Sequence, residues 1–206
     1  MGVSAALLLA LAAAHTPATQ ELEPLEYDVS VLEDGDFLFR RGRSLRSLAV
    51  LRTGGNRFSH VGIVVHMDGK PYVAHAPPGV GGSRVEPIET FLAPDVAEDA
   101  ALFRRAGLSA DVRAKVAVTA RAVALEGRPF DDALNLDDAS ALYCTELALV
   151  ALRAVEPDAS FELRTLRLFG IERQVLMPND LAAGLRPVAF LRKSPATDRL
   201  RSPSFQ

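Results

Sequence analysis

Residues 58–76 constrain the fold more than any other stretch of this chain. Residues 58–65 read FSHVGIVV, a β-branched and aromatic run of strand character. Asp68-Gly69 is a strong two-residue hairpin turn, and residues 71–76, PYVAHA, form the return strand. Closing the hairpin on that turn sets Met67 against Lys70, Val65 against Tyr72 and Gly62 against His75. Side chains alternate along a strand, so His60 and Gly62 share a face. His60 and His75 then become diagonal neighbours, with backbones about 7–8 Å apart. Gly62, opposite His75, leaves room for the second imidazole. A loop one residue longer would send the two histidines to opposite faces.

Other elements are coarser. Asp34-Gly35-Asp36 is a turn signal before the short strand Phe37-Leu38-Phe39. Residues 43–52 place Leu45, Leu48 and Ala49 at helical spacing, ended by Gly54-Gly55. Residues 101–104 and 187–191 read as strands. A long helix covers 109–126, closed by Gly127 and Pro129. A more apolar helix covers 141–154, with Asp137, Asp138 and Ser140 as caps. Hairpins without regular β-α alternation predict the α+β class: an antiparallel sheet packed against helices. The chain has 206 residues, enough for one domain.

The start of the chain differs from the rest. Residues 3–14, VSAALLLALAAA, are apolar but short for a bilayer, and small residues follow at 12–14. That pattern predicts a signal peptide over 1–20, although no Lys or Arg precedes the apolar run. A linker over 21–33, a folded domain over 34–192 and a flexible tail over 193–206 complete the organisation. The expected location is exported, periplasmic or extracellular, with no integral membrane segment after signal cleavage. A net charge of -3, with no Trp and 6% aromatic residues, argues against nucleic acid as a partner.

Cys144 is the only cysteine, so no disulfide forms within the chain. A free cysteine is commonly an inert, buried, small hydrophobe. Here it stands at the start of a helix, just after a loop. Unpaired N–H groups and the positive end of the helix dipole favour the thiolate there, and the same N–H groups can donate to an oxyanion. Cys144 is therefore a candidate nucleophile, and His60 and His75 form a candidate base and orienter pair, in which one ring takes the thiol proton and the other holds its tautomer. Two histidines on one face also suggest a weak metal site, but Zn²⁺ wants three or four ligands.

Weaker signals surround these three. Gly79 to Gly82 lack the Lys-Ser/Thr ending of a phosphate loop. The sequence has no G-x-S-x-G nucleophile elbow. Arg40, Arg41, Arg43, Arg46 and Arg52 can attract an anionic substrate or lipid surface, though such clusters are more often solvated. Asp131 and Asp132 are loop caps or site carboxylates, His66 is read as solvated, and Glu146 as structural.

Three blocks carry a family resemblance: Gly35-Asp36-Phe37-Leu38-Phe39, Ser59-His60-Val61-Gly62-Ile63-Val64 and Tyr143-Cys144-Thr145-Glu146-Leu147. In that order they resemble the permuted papain-like amidases, the YiiX/YebB-like branch of the NlpC-type cysteine peptidases. Lecithin:retinol acyltransferase is a more distant relative. Met177-Pro178-Asn179-Asp180-Leu181 resembles the family's Pro-x-Asp-Leu segment. The resemblance implies a circularly permuted papain-like core with the histidine strand ahead of the cysteine helix. It implies Cys144 as nucleophile, His60 as base and His75 as the third polar residue. YiiX-type relatives often present Glu at that third place; a histidine is closer to the acyltransferase and cell-wall peptidase pattern.

The expected activity is a cysteine hydrolase that cleaves an amide or ester through an acyl-thioester, acting on a peptide, peptidoglycan fragment or lipid amide. No cofactor and no metal are expected. The alternatives are a lipid amide or ester hydrolase or acyltransferase, and a non-catalytic binding module on the same fold.

Overall fold

The structure is a computed structural model that describes residues 22, 24–55, 57–79, 81–168 and 170–193. The signal-peptide reading and nearly all of the tail lie outside these residues. Among the described residues, no helix is long and apolar enough to cross a membrane.

The chain is α+β, with a large antiparallel sheet packed against helices. Its strands are β1 (Leu25–Glu26), β2 (Phe37–Gly42), β3 (His60–Met67), β4 (Lys70–His75), β5 (Arg84–Pro87), β6 (Ala97–Arg104) and β9 (Arg186–Lys193). They lie in the order β1-β9-β6-β2-β3-β4-β5. Helices α1 (Leu45–Gly54), α2 (Ile88–Phe91), α3 (Ala110–Leu125), α4 (Cys144–Arg153) and α5 (Pro178–Ala183) complete the layer structure, beside a separate hairpin of β7 (Arg164–Leu168) and β8 (Ile171–Val175). Part of the stretch read as a linker thus joins the sheet: Leu25 pairs with Lys193.

The strand period sorts the core residues of the large sheet onto its two faces. Phe37, Phe39, Val61 and Ile63 point to the face that packs on α3 and α4, where Phe39, Phe58 and Phe103 stack within 5.8 Å of one another. Leu38, Val64, Val73 and Leu102 point to the other face and bury Ile88 and Phe91 of α2. Burying these large side chains contributes about 1.5–3 kcal/mol each.

The β3–β4 hairpin has the register that its turn predicts: Met67 faces Lys70, Val65 faces Tyr72 and Ile63 faces Ala74. Asp68 and Gly69 both take positive φ, as this tight turn requires. At Asp34-Gly35-Asp36, Gly35 has φ 79°, and a Cβ there would stand 2.3 Å from the Arg113 carbonyl oxygen. The next residue, Asp36, accepts two hydrogen bonds from the Arg104 fork, at 2.6 and 2.7 Å.

Two helices depart from the sequence reading. In α1 the spacing of Leu45, Leu48 and Ala49 does not mark the packed side: Leu45 is 85% exposed, and Leu51 and Gly54 are buried instead. Gly54 meets the Met177 side chain so closely that no Cβ fits between them. The second helix begins at Cys144 rather than 141. Glu146 closes its first turn by accepting the Tyr143 N–H at 3.3 Å, while Asp138 caps Ser140 in the loop before it.

Candidate active site

The site lies at one end of the sheet. β2 ends there, β3 and β5 begin there, and β4 runs into it. The same end receives the first residue of α4. A cleft of about 600 Å³ opens between them, and both Cys144 and His60 line it.

His60 is the first residue of β3, 4% exposed, and faces the Phe91 side of the sheet. His75 ends β4, fully buried. His60 Nε2 and His75 Nδ1 are 2.8 Å apart. Gly62 makes this possible: a Cβ at that position would stand 3.0 Å from His75 Cβ and 2.3 Å from Val73 Cγ1. Behind the pair, His75 Nε2 lies 3.1 Å from Glu86 Oε1, close enough for an ion pair but without the alignment of a full hydrogen bond. Arg84 donates from Nε to Glu86 Oε2 at 3.0 Å. One chain of contacts therefore runs His60–His75–Glu86–Arg84 across β3, β4 and β5.

Burial penalises charge along this chain. It pushes His60 well below the ordinary histidine range, with help from the cations Arg40 and Arg84 and from His75. Burial lowers His75 too, outweighing the attraction of Glu86. Burial alone would raise Glu86, but His75 and Arg84 outweigh it and hold the carboxyl at about 2. At neutral pH both imidazoles are neutral and Glu86 is ionised.

Cys144 stands at the first position of α4, 7% exposed, against the core on one side and the cleft on the other. The helix start does offer donors: the N–H groups of Val61, Thr145 and Cys144 itself favour the thiolate, and so does the Arg40 cation. Burial nevertheless wins and pushes the thiol up to about 11. The lowered thiol expected from the helix dipole is thus corrected: desolvation of the sulfur exceeds the pull of the first turn. No direct hydrogen bond joins Cys144 to His60.

The other sequence candidates sort cleanly. His66 pairs with Asp34 at 2.9 Å, far along β3 from the cleft. Asp131 is a loop cap, accepting the N–H of Ala133 and of Asn135. Asp132 lines the cleft and pairs with Arg46 at 2.5 Å. Glu146 is structural, and burial raises its carboxyl to about 7. Arg40 is not solvated: it is 9% exposed and lines the cleft. Sequence reasoning did not single out Glu86 or Arg84. The alternation Arg84-Val85-Glu86 was the available signal, obscured by the glycines before it.

Fold and site together define a class: an α+β protein whose cleft, at the end of an antiparallel sheet, brings a helix-tip cysteine and a histidine pair to one place. The chain is similar to the uncharacterized protein YiiX of Escherichia coli K12, 30% identical over 116 residues, which are 56% of this chain. The match spans about half of that relative's length, 54%. The chain is also similar to the crystal structure of the metalloprotein YiiX from Escherichia coli O157:H7, with a TM-score of 0.66 and 25% identity. That likeness covers 77% of this chain and 97% of the other. No protein-family model matches the chain.

Proposed function

We propose that this protein is a thiol hydrolase that cleaves an amide or ester bond through an acyl-thioester on Cys144. One observation carries the reading: Cys144 and His60 line the same cleft, and His60 is backed by His75 and Glu86.

The contacts favour one set of tautomers. Ionised Glu86 can only accept, so His75 carries its proton on Nε2. His75 Nδ1 is then an acceptor, and His60 donates to it from Nε2. That leaves the lone pair of His60 on Nδ1, free to take a proton. Neutral thiol and neutral imidazole form the resting pair. As Sγ attacks the substrate carbonyl, His60 takes the thiol proton and Glu86, through His75, steadies the charge that forms. N–H groups at the tip of α4 meet the oxyanion. The C–N or C–O bond breaks, and His60 returns the proton to the leaving group. Water then attacks the thioester, gives its proton to His60, and the S–C bond breaks to restore the thiol. Apo hydrogen bonds at such sites are often long and tighten on substrate binding.

The fold similarity and the motifs support the permuted NlpC-type branch as the group, with cell-wall peptides as the substrates suggested by that branch. The apolar run at residues 3–14 supports an exported protein. The YiiX structure is described as that of a metalloprotein. Here the donor set does not fit a metal ion. The two histidines spend their facing nitrogens on each other, and among the described residues no group of three or more His, Cys, Asp or Glu is gathered to hold one.

The buried thiol, held at about 11, favours a second reading: a binding module on the same fold. A screen of amide and ester substrates with a Cys144→Ala control separates the two. Turnover lost in Cys144→Ala and His60→Ala is the expected result. Equal turnover by Cys144→Ala ends the hydrolase reading.

A further inference from the structure

We infer that Arg40 is an anion-binding residue of the cleft, and that the substrate is an apolar acyl group joined to a small acidic leaving group, such as an N-acyl amino acid. This rests on the thiol-hydrolase reading and names its substrate class.

Arg40 is an unusual side chain to bury. Its Nη1 donates to the Phe91 carbonyl oxygen at 2.6 Å, and its guanidinium lies 4.1 Å over the centre of the Phe91 ring. Those contacts hold the guanidinium in place and leave much of its donor fork unused. Among the described residues no carboxylate forms an ion pair with it. Glu86 is near enough to favour its charge but is engaged by His75 and Arg84. A buried guanidinium without an ionic partner is costly unless something supplies the anion. Its planar fork matches a carboxylate.

Position then assigns the anion to one half of the substrate. Arg40 is the cross-strand partner of His60, so their side chains leave the sheet on the same face. His60 must protonate the leaving group, so the leaving group sits on the histidine side, beside Arg40. Of the other cations that line the cleft, Arg84 is engaged by Glu86, and Arg46, on α1, is paired with Asp132, so among these Arg40 is the one that stands beside His60 without an ion pair.

The cleft also has an apolar wall. Tyr143, next to the nucleophile, clusters with Val175 and Met177, and Val50, Phe130 and Leu134 pack against them. All six line the cleft. This wall flanks the sulfur on the side of α1 and β8 and suits an acyl chain. In the reaction the acyl carbon passes from nitrogen to Sγ, and the departing amine takes the proton from His60. Water then releases the fatty acid.

The test compares N-lauroyl-glycine with N-lauroyl-glycinamide, whose leaving groups end in a carboxylate and a neutral amide of nearly the same shape. For the native protein, kcat/KM for the carboxylate is expected to exceed that for the amide by about tenfold or more. In Arg40→Gln the ratio falls towards one, and Arg40→Lys retains part of it. A ratio of one in the native protein overturns the proposal without any variant.

Calorimetry on Cys144→Ala separates this inference from the hydrolase reading. Tighter binding of N-lauroyl-glycine than of either its amide or N-acetyl-glycine supports the subsite, even if the native protein hydrolyses none of them; in that case only the hydrolase reading fails. Equal binding of the acid and the amide, or no binding of either, overturns the anion site. Equal binding of the lauroyl and acetyl forms overturns the acyl wall.

Discussion

His60 Nε2 lies 2.8 Å from His75 Nδ1, so the first histidine has only one ring nitrogen left for chemistry. In the proposed mechanism, Glu86, behind His75, decides which nitrogen carries which proton. Replacing Glu86 with Gln removes the charge and lets His75 flip its tautomer, which would place a proton on the nitrogen that should accept. Loss of such an outer partner costs about 10–100-fold at metal-bound histidines and more at catalytic ones. We expect Glu86→Gln to lower kcat by about 100-fold with KM little changed. Steady-state kinetics on both variants of the pair, Glu86→Gln and Glu86→Asp, checks this; a Glu86→Gln protein with native kcat would remove Glu86 from the mechanism.

The proposed resting state is a neutral pair, and that has a pH signature. His60 is held well below the ordinary range, and the thiol at about 11. The base is therefore ready at pH 6.5, and kcat/KM should stay flat from there to pH 9, falling only at lower pH as His60 protonates. Alkylation of Cys144 by iodoacetamide should be slower at pH 7 than that of a free cysteine. It should keep rising through pH 9. A labelling rate that levels off below pH 8 would mean a preformed thiolate and would refute the neutral pair.

The strand-turn-strand signal of residues 58–76 made the histidine pair legible. A period of two and an Asp-Gly turn leave one register that buries the Val61 and Ile63 side. Cys144 was legible from its position at a helix tip. Its ionisation was not, because the dipole of a first turn is visible in sequence while the depth of the sulfur is not. Glu86 escaped notice because β5 is only four residues, Arg84–Pro87, and ends on a proline. Arg40 was masked by the arginines around it: alternation sends it inward while Arg41 pairs with Glu98. The apolar stripe of α1 misled because small Gly54, not a leucine, makes the closest packing contact.

Gly62 couples the fold to the chemistry. A methyl group there would meet Val73 Cγ1 at 2.3 Å and His75 Cβ at 3.0 Å, both on the neighbouring strand. Overpacking of this kind typically costs about 1–3 kcal/mol. Gly62→Ala should lower the unfolding free energy measured in urea by that amount and, because His75 must move, reduce kcat more than the stability loss explains. The remedial pair Gly62→Ala with Val73→Ala relieves only the closer contact. It should recover stability while kcat stays low, since His75 Cβ is still crowded.

Glu146 makes the opposite case, a residue next to the nucleophile whose titration belongs to stability. Burial raises its carboxyl to about 7 against the hydrogen bond from Tyr143, and Asp131 adds to the rise. In the unfolded chain it titrates near 4.5. Between those values the native state holds a proton that the unfolded state has lost, so this group makes stability fall as pH rises from 4.5 to 7. Below 4.5 both states are protonated and the penalty vanishes. Glutamine keeps the acceptor for the Tyr143 N–H but cannot ionise. Glu146→Gln should therefore match the native protein in thermal midpoint at pH 4 and exceed it at pH 8 by a few degrees, on the order of 2–6 °C. Thermal melts of both proteins across that range measure the difference directly. A gap that is constant with pH would assign the effect to packing, and a gap that closes as pH rises would mean that Glu146 is stabilised as the anion.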